Sequence, residues 1–584
     1  MRILFLTHSF NSLAQRLYVE LSERSHDVSV EFDINDQVAI EAAALSQPDL
    51  IIAPYLKRRI PEAVWRERVC LVVHPGIVGD RGPSALDWAI QHGETQWGVT
   101  VLQANEVMDG GAVWASRRFV MRAACKSSLY RNEATEAVVA AVMEAVEKFS
   151  AGGFVPQPLN YDSPQVRGRE HPLMRQSDRR IDWRRDDTTT VLAKLRAADS
   201  APGVLDVICG LPVYLYNPIA ERTLRGAAGD IVATRHGALC RATVDGAVWI
   251  THVKRQSDEP ALKLPATAVL GERLGAFPDR SLPVLPAKDD GTWQDIFYEQ
   301  ECGVGYLHFP FYNGALSAPD CVRLRDAVVA AGLRDIQVLV LMGGGDFWCN
   351  GIHLGVIEAA ESPADESLAN IEAMNDLCLA ILQNRMLTVT AMQGNGAAGG
   401  VFLALAADKL WAREGVVLNP HYKVMGNLYG SEYWTYLLPR RVGEQHAHEI
   451  TQNRLPIGAR RAQRLGLVDD VFGADVGQFV QEVKTRAEML AADPTLPKQL
   501  AAKRHRRERD EAEKPLAHYR AEELARMKLN FYGFDPSYHV ARYHFAYRLA
   551  HARTPLHLAR HRHNQWQQQA LLRSRGAVPF TFRN

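Results

Sequence analysis

The segment Leu387-Thr-Val-Thr-Ala391, which leads into Gly394-Asn-Gly-Ala-Ala-Gly-Gly400, decides the fold of the second half of this chain. Its first part is a short run of apolar and β-branched residues, which is typical of a buried strand. Its second part is a glycine-rich loop that ends the strand. An earlier run, Asp335-Ile-Gln-Val-Leu-Val-Leu-Met342, ends in the same way at Gly343-Gly-Gly345. The block from about 295 to 480 is therefore predicted to alternate strands with helices.

The first 150 residues show the same alternation of strand and helix signals. This rhythm predicts an open parallel sheet with helices on both faces. In such sheets ligands bind beyond the carboxyl ends of the strands, so the residues just after Val73 are candidates for a site. The predicted elements are strands at 3–6, 27–32, 49–53 and 69–73, and a helix at 12–22.

Two proline-rich stretches divide the rest of the chain. The first, from Pro156 to Pro172, precedes a predicted helix at 188–198 and short β-like runs between 213 and 251, whose spacing indicates a small barrel. The second is Leu282-Pro-Val-Leu-Pro-Ala-Lys-Asp-Asp-Gly291, and the last hundred residues are rich in helix formers. We therefore expect an α/β multidomain protein with a Rossmann-like open-sheet domain at 1–150, a linker helix and OB-like β-barrel at 151–285, a second α/β domain at 286–490 and a helical C-terminal extension at 491–584.

Composition and charge argue against several classes of protein. The 67 basic and 67 acidic residues cancel, whereas nucleic-acid and membrane-surface binding favour a basic excess. The eight cysteines are scattered without a C-x-x-C pair, which argues against a metal site and suits a reducing cytosol. No stretch approaches the roughly 18 apolar residues of a membrane span, and the start MRILFLTHSF indicates a buried strand, not a signal peptide. We expect a cytoplasmic protein with no metal and no nucleic-acid or membrane partner.

Two residues of the first domain have the chemistry of acyl transfer. His74 stands where a strand ends, before a glycine-rich loop, and Asp109 precedes Gly110-Gly111. Formyl transfer from an amide-like nitrogen needs a donor to the tetrahedral oxyanion and a carboxylate that moves protons between nucleophile and leaving nitrogen. Taken singly, each residue also has an ordinary explanation, as a hydrogen-bonded strand end or as a turn residue.

Together and in this order, these segments resemble the formyltetrahydrofolate-dependent formyltransferases, which include methionyl-tRNA formyltransferase. The resemblance implies 10-formyltetrahydrofolate as formyl donor and His74 and Asp109 as catalytic residues. The family's catalytic Asn is Val72 here and its S-L-L-P segment is Gly76-Ile-Val-Gly79, so one oxyanion donor is missing or comes from elsewhere. Ser200 stands in the family's inter-domain turn and is a candidate to face the bound cofactor. The matching segments are Val72-Val-His74, Arg81-Gly82, Trp88-Ala-Ile90, Gly98-Val-Thr100, Asp109-Gly-Gly111 and Arg180-Ile-Asp-Trp183.

Segments of the second half resemble the crotonase (enoyl-CoA hydratase/isomerase) superfamily. The resemblance implies a ββα spiral fold and a coenzyme A thioester as substrate. Two backbone N–H groups, here those of Ile352 and Gly399 by position, then stabilise an enolate-like oxyanion, and loss of one such donor typically costs about 10²–10³ in rate. The matching segments are Phe347-Trp-Cys-Asn-Gly-Ile-His353, the run from Gly394 to Asp408, Leu437-Leu-Pro-Arg-Arg441 with Gly443, and Ala462-Gln-Arg-Leu-Gly-Leu-Val468.

The side chains of this second site differ from those of the hydratases. The two hydratase glutamates fall at Phe402 and His421, so ordinary hydration of a double bond is disfavoured. A carboxylate among aromatic residues has its pKa raised by desolvation and exchanges protons near neutral pH. The candidate acids and bases are Tyr422, Tyr429 and Glu432, and the candidate partners of the coenzyme A phosphates are Arg440, Arg441 and Arg542, although arginines on helices are commonly structural.

A formyl-folate domain and an acyl-CoA domain in one polypeptide suggest two reactions in sequence. The combination, over essentially the whole chain, resembles a family of hydrogenase maturation factors. That resemblance implies transfer of formyl to coenzyme A and release of carbon monoxide for the iron of nickel–iron hydrogenase, with other maturation proteins as recipients. Two alternatives stay open: a formyltransferase and formyl-CoA hydrolase that gives formate, or a non-catalytic scaffold that binds folate and coenzyme A. The intact pair of His74 and Asp109 argues against the scaffold.

Overall fold

A computed structural model describes residues 1–563 of the chain. These residues form two compact units. The first comprises Met1–Asp182, Thr189–Asp206 and the described residues from Ala550 onward, and the second comprises Trp183–Thr188 and Val207–Leu549. The α/β multidomain class predicted from the sequence is confirmed. Among the described residues, no helix combines the length and apolar composition that a membrane span requires.

The first unit is built on one six-stranded sheet. The first four strands along the chain are parallel to one another, as predicted. The fifth strand is antiparallel to the fourth, and the sixth is antiparallel to the fifth. Residues 104–112, which join the last two strands, are too few for the crossover that parallel strands need. The strands are β1 (Arg2–Thr7), β2 (Asp27–Phe32), β3 (Leu50–Ala53), β4 (Cys70–His74), β5 (Gln96–Gln103) and β6 (Val113–Val120), in the order β2-β1-β3-β4-β5-β6.

Helices follow most strands of this unit. Asn11 and Asn35 cap the first two, because their side chains accept hydrogen bonds from the N–H groups of Ala14 and Val38. A π-helical turn at Tyr130–Ala134 lies between the fifth and sixth helices. The helices are α1 (Ser12–Glu23), α2 (Asp36–Ser46), α3 (Glu62–Trp65), α4 (Ala85–Gln91), α5 (Lys126–Leu129), α6 (Thr135–Ala151), α7 (Gln176–Arg179) and α8 (Thr188–Ala198).

The last described residues return to the outer strand of this sheet. The Val30 N–H donates to the Leu558 carbonyl at 3.0 Å. The buried imidazole of His561 lies between Ser29 Oγ, 2.7 Å from its Nδ1, and Glu31 Oε2, 2.9 Å from its Nε2. These contacts cover an edge strand that would otherwise present unpaired backbone groups.

The second unit begins with an antiparallel sheet where short β runs were predicted. Its strands pair in the order β8-β11-β10-β9, with β12 also paired to β11. The buried carboxylate of Glu221 accepts hydrogen bonds from Trp249 Nε1 at 2.7 Å and from the Thr223 N–H at 2.7 Å. The strand β7 (Val204–Ile208) contains residues of both units. The elements wholly within the second unit here are β8 (Leu211–Glu221), β9 (Ile231–Arg235), β10 (Ala238–Ala242), β11 (Ala247–Arg255), β12 (Lys263–Pro265) and α9 (Ala266–Leu270).

The remainder of the second unit is a ββα spiral, as the resemblance implied. Successive strands alternate between a large sheet, β13-β14-β16-β19-β21-β24, and smaller sheets, β17-β20-β22-β23 and β15-β18. This alternation places the glycine-rich loops between the two layers of strands. The strands are β13 (Phe297–Glu301), β14 (Val304–His308), β15 (Ala315–Leu316), β16 (Val338–Gly343), β17 (Phe347–Cys349), β18 (Gly351–Ile352), β19 (Leu387–Met392), β20 (Asn395–Ala397), β21 (Lys409–Arg413), β22 (Val417–Asn419), β23 (Ile457–Gly458) and β24 (Asp470–Phe472).

The predicted C-terminal extension is helical over 496–546, and its part from 564 to 584 lies outside the described residues. Its apolar side chains are not a separate core, because Met527, Phe531 and Tyr538 pack in the same buried cluster as Phe402. The division into four domains stays a prediction. The helices of the second unit are α10 (Ala318–Ala331), α11 (Leu354–Ala359), α12 (Pro363–Leu382), α13 (Gly399–Leu405), α14 (Trp434–Asn453), α15 (Ala459–Arg464), α16 (Val476–Ala491), α17 (Leu496–Glu513), α18 (Leu516–Tyr532) and α19 (Ser537–Ala546).

Candidate active sites

In the first unit, His74 is the last residue of β4 and is buried. The loop that follows packs directly on its ring, since a Cβ on Gly76 would lie 2.6 Å from His74 Cδ2. Thr100 on the neighbouring strand β5 holds the loop through its hydroxyl, which donates to the Gly76 carbonyl at 2.8 Å. Glycine at 76 is thus required by the close approach of backbone to imidazole.

A second carboxylate that sequence reasoning missed contacts this histidine. Asp80, in the same loop, is buried and its Oδ1 lies 2.8 Å from His74 Nε2. Its other oxygen is 3.9 Å from His171 Nε2, which is beyond hydrogen-bond distance. The available signal was an acidic residue within the glycine-rich loop, six positions after the histidine. Because a carboxylate accepts hydrogen bonds, Asp80 favours the tautomer of His74 that has a hydrogen on Nε2.

Asp109 approaches His74 from the opposite side of the ring. Its Oδ2 lies 3.6 Å from His74 Nδ1 and accepts a hydrogen bond from the Gly82 N–H at 3.3 Å. The residue has φ 55°, in the left-handed region, within the turn between β5 and β6. The structure therefore brings together the two residues predicted for the first site and places the imidazole between two carboxylates.

Two other positions of the first unit were singled out in the sequence. Val72, which stands where the formyltransferases have Asn, packs against the apolar cluster of Ala53 and Cys70. Ser200 has φ 71°, and the residue after it, Ala201, is hydrogen-bonded to α5. Lys126 Nζ donates to the Ala201 carbonyl at 2.8 Å. The role of Ser200 in binding a cofactor stays a prediction.

In the second unit, the two expected backbone donors belong to elements that meet closely. Gly399 is the first residue of α13, so its N–H has no acceptor within the helix. The His353 N–H donates to the Leu316 carbonyl, so alternation along β18 turns the Ile352 N–H away from β15. A Cβ on Gly351, whose φ is 84°, would lie 3.4 Å from the Gly399 nitrogen.

The carboxyl group of Glu432 lies against the start of α13. A Cβ on Gly399 would be 2.7 Å from Glu432 Cδ. Glu432 is buried, and desolvation, together with the charge of Glu523, raises its pKa to about 7. The buried carboxyl with a raised pKa that the sequence predicted is therefore present, directly beside one of the two candidate oxyanion donors.

Tyr422 is the immediate partner of Glu432. Its hydroxyl contacts Glu432 Oε2 and lies 3.0 Å from the Ser431 carbonyl. When Glu432 is ionised, Tyr422 donates to it; when Glu432 is protonated, it donates to Tyr422, which then donates to Ser431. Gly430, with φ 93°, permits this arrangement, since a Cβ there would lie 2.7 Å from Tyr422 Cζ. The pair stays hydrogen-bonded in both protonation states.

The two residues that replace the hydratase glutamates are both buried and neither is a carboxylate. Phe402 is fully buried, and its ring stacks on that of Tyr422 with centroids 5.3 Å apart. His421, which precedes Tyr422 in the chain, is also buried. Tyr429 is only partly buried, and its ring packs against Trp434 at 5.5 Å. Of the three predicted acid–base residues, the structure brings Tyr422 and Glu432 into contact.

The three arginines predicted to bind phosphate all have carboxylate partners within the protein. The closest approaches are 2.7 Å from Arg440 to Asp510, 2.7 Å from Arg441 to Asp469 and 2.7 Å from Arg542 to Glu358. Arg542 is also buried, whereas Arg440 is partly exposed. Their assignment to coenzyme A stays a prediction.

Comparisons with known proteins agree with both predicted types of domain. Residues 31–146 match the formyl transferase family, residues 173–262 match its C-terminal domain, and residues 324–528 match the enoyl-CoA hydratase/isomerase family. The methionyl-tRNA formyltransferase of Desulfotalea psychrophila is 26% identical over 41% of this chain and 72% of that protein.

Two proteins are similar to the chain over nearly its whole length. The hydrogenase maturation factor HoxX of Bradyrhizobium diazoefficiens is 53% identical and covers 96% of this chain and 97% of its own. The crystal structure of HypX from Aquifex aeolicus in complex with tetrahydrofolic acid is 49% identical, has a TM-score of 0.94, and covers 96% of this chain and 99% of its own. This chain therefore belongs to the HypX/HoxX family of hydrogenase maturation factors, which join a formyltransferase domain to an enoyl-CoA hydratase/isomerase domain.

Proposed function

We propose that this protein makes carbon monoxide in two steps. In the first, the thiol of coenzyme A takes the formyl group of 10-formyltetrahydrofolate, which gives tetrahydrofolate and formyl-CoA. In the second, formyl-CoA is split into carbon monoxide and free coenzyme A. The carbon monoxide is destined for the iron of nickel–iron hydrogenase, through other maturation proteins.

The first step is assigned to His74, Asp80 and Asp109. The thiol attacks the formyl carbon, and its proton must reach the leaving nitrogen of the folate. Asp109 and His74, 3.6 Å apart, provide the carboxylate and imidazole for that transfer. Asp80 holds the imidazole from its other nitrogen. The tetrahydrofolic acid in the crystal structure of the Aquifex aeolicus protein supports folate as the donor for this chain.

The second step is assigned to Glu432 and Tyr422, with the N–H groups of Ile352 and Gly399. The two N–H groups hold the thioester oxygen. Ionised Glu432 accepts the formyl proton while the carbon–sulfur bond breaks, so that carbon monoxide and a thiolate leave. Protonated Glu432, which stays hydrogen-bonded to Tyr422, then returns the proton to sulfur. The sum is formyl-CoA to carbon monoxide and coenzyme A, without another reactant.

The observation that carries this proposal is the position of the Glu432 carboxyl group against Gly399. If the Gly399 N–H binds the thioester oxygen, the neighbouring Glu432 carboxylate lies close to the formyl carbon and can remove its single hydrogen. Phe402 stands where a hydratase has a glutamate to activate water, so this position offers no carboxylate to activate water.

The test supplies 10-formyltetrahydrofolate and coenzyme A to the full chain and traps carbon monoxide with a haem protein. Formate is measured in the same reaction. We expect trapped carbon monoxide in excess of formate, and none with His74→Ala. Formate alone would favour a formyl-CoA hydrolase, and no tetrahydrofolate release at all would favour a scaffold.

The two steps are separated by supplying formyl-CoA directly. His74→Ala is expected to release carbon monoxide from it at the wild-type rate, because that residue serves the first step only. Glu432→Gln is expected to fail with formyl-CoA while it still forms tetrahydrofolate from the folate donor. The reverse pattern would contradict the assignment of the steps to the two units.

A further inference from the structure

The Glu432 side chain is carried by a turn of unusual backbone conformation. Glu432 has φ 62° and Tyr433 has φ 57°, so two successive residues with side chains occupy the left-handed region. Such residues cost free energy and persist only where the surroundings fix them. The contacts that fix this turn therefore determine where the carboxyl group lies.

Two buried side chains from distant helices supply those contacts. Asn375 of α12 accepts hydrogen bonds through Oδ1 from the Glu432 N–H at 2.8 Å and from Ser431 Oγ at 3.0 Å. Glu523 of α18 accepts through Oε2 from the Tyr433 N–H at 2.9 Å. Its Oε1 accepts from the Thr435 N–H at 2.9 Å and from Thr435 Oγ1 at 2.6 Å.

We propose that Glu523 is a positioning residue for the second reaction: it holds the turn that carries Glu432, and its buried negative charge makes Glu432 a stronger base. The effect of Glu523 on the reaction rests on the proposed function of Glu432 as the base. The structural and electrostatic part can be measured without any turnover.

The hydrogen bonds to Glu523 argue that it is the charged member of the pair. Each of its oxygens accepts from a backbone N–H group, of Tyr433 or of Thr435, and because an N–H group can only donate, this arrangement favours the ionised carboxylate. Burial raises the pKa of Glu523 to about 7, and the donors from Thr435, Tyr433 and Ser431 oppose that rise. Glu432 has fewer such donors, with Tyr422 and the Ser431 N–H, so it is the member that takes up the proton first.

The other titratable groups around Glu432 are neutral at neutral pH. Tyr422 has its pKa raised well above its usual value by burial and by Glu432. Burial likewise raises the pKa of the thiols that face this carboxyl from α10, β17 and α12, namely Cys321, Cys349 and Cys378. Among the described residues, Glu523 is thus the charged group that acts on Glu432.

The test is a pH titration of the protonated Glu432 carboxyl group by infrared spectroscopy of the full chain. The carbonyl band of Glu432 is assigned by its loss in Glu432→Gln. In Glu523→Gln we expect the midpoint of this band to fall by about one pH unit, a tenfold lower proton affinity, because a like charge has been removed. The matched control is Glu522→Gln, whose side chain is 65% exposed and pairs with Lys514.

An unchanged midpoint in Glu523→Gln would overturn the proposal. Glu523→Asp, which keeps the charge and shortens the reach, is expected to keep the midpoint and to lower kcat for carbon monoxide release more than it changes KM. If Glu523→Gln does not fold, Thr435→Val replaces it, since loss of one donor makes Glu523 less ionised and lowers the midpoint of Glu432. An unchanged midpoint in that variant would equally overturn the proposal. If wild-type protein releases no carbon monoxide, the proposed function fails while the titration still decides this inference.

Discussion

The substitution Gly399→Ala tests whether the Glu432 carboxyl group works beside the start of α13. Gly399 has no positive φ and begins a helix, so alanine fits its backbone without strain. The added methyl group would meet the carboxyl group instead. The variant is therefore expected to fold as the wild type and to lose the second reaction.

The size of the effect follows from the geometry. The new Cβ would lie 2.7 Å from Glu432 Cδ, whereas carbon atoms in contact are normally about 3.5–4.0 Å apart. The carboxyl group must move by roughly 0.8 Å or more, out of a buried turn that Asn375 and Glu523 hold. A displacement of about 1 Å at a reacting group costs on the order of 10² in rate, or about 2.7 kcal/mol.

The assay is the rate of carbon monoxide release from formyl-CoA, followed with a haem trap. The matched control is Gly477→Ala, which also adds a methyl group in the first turn of a helix, α16, where the nearest atom is Asp475 Oδ1 at 3.3 Å. Circular dichroism and thermal melting check that both variants fold. A folded Gly399→Ala protein that releases carbon monoxide at the wild-type rate would refute the role given to Glu432.

Further outcomes follow from individual contacts. Tyr422→Phe keeps the stacking on Phe402 but removes the hydroxyl, and carbon monoxide release from formyl-CoA is expected to slow by about 10² at similar KM; an unchanged kcat would exclude Tyr422 from the proton path. Asp80→Asn leaves the shape of the first site but replaces the carboxylate at His74 Nε2, so formyl transfer, measured by tetrahydrofolate absorbance, is expected to fall at least about tenfold while tetrahydrofolate still binds. Although burial opposes it, hydrogen bonds from threonine and tryptophan side chains lower the pKa of Glu221 to about 2 from an ordinary 4.5. Because the folded pKa is the lower one, this carboxylate contributes on the order of 3 kcal/mol above pH 4.5, and the contribution is lost as pH falls towards 2. The protection factors for hydrogen exchange in β11, which correct for the intrinsic pH dependence of exchange, should thus fall on acidification in the wild type, and Glu221→Gln should flatten that dependence.

The sequence alone predicted the alternation of strands and helices and both types of domain. The strand 27–32 and the helix 188–198 coincide with β2 (Asp27–Phe32) and α8 (Thr188–Ala198). Apolar periodicity and glycine-rich strand ends are local signals, and the backbone approaches that demand glycine recur wherever the same site is built. His74 and Asp109, which are 35 positions apart in the chain, were named together through the resemblance of their segments to the formyltransferases.

Only the tertiary structure showed which acidic side chains lie beside the candidate site residues. Asp80 approaches His74 because the loop after β4 folds back on it, and Glu523, which is 91 positions after Glu432, binds the N–H group of the next residue, Tyr433. The structure also brought two of the three candidate acid–base residues, Glu432 and Tyr422, into contact, and it gave Arg440, Arg441 and Arg542 protein carboxylates as partners. A sequence pattern records the local preference of each residue for strand, helix or turn, whereas burial, hydrogen-bond partners and the charge at a carboxyl group depend on residues brought together by packing.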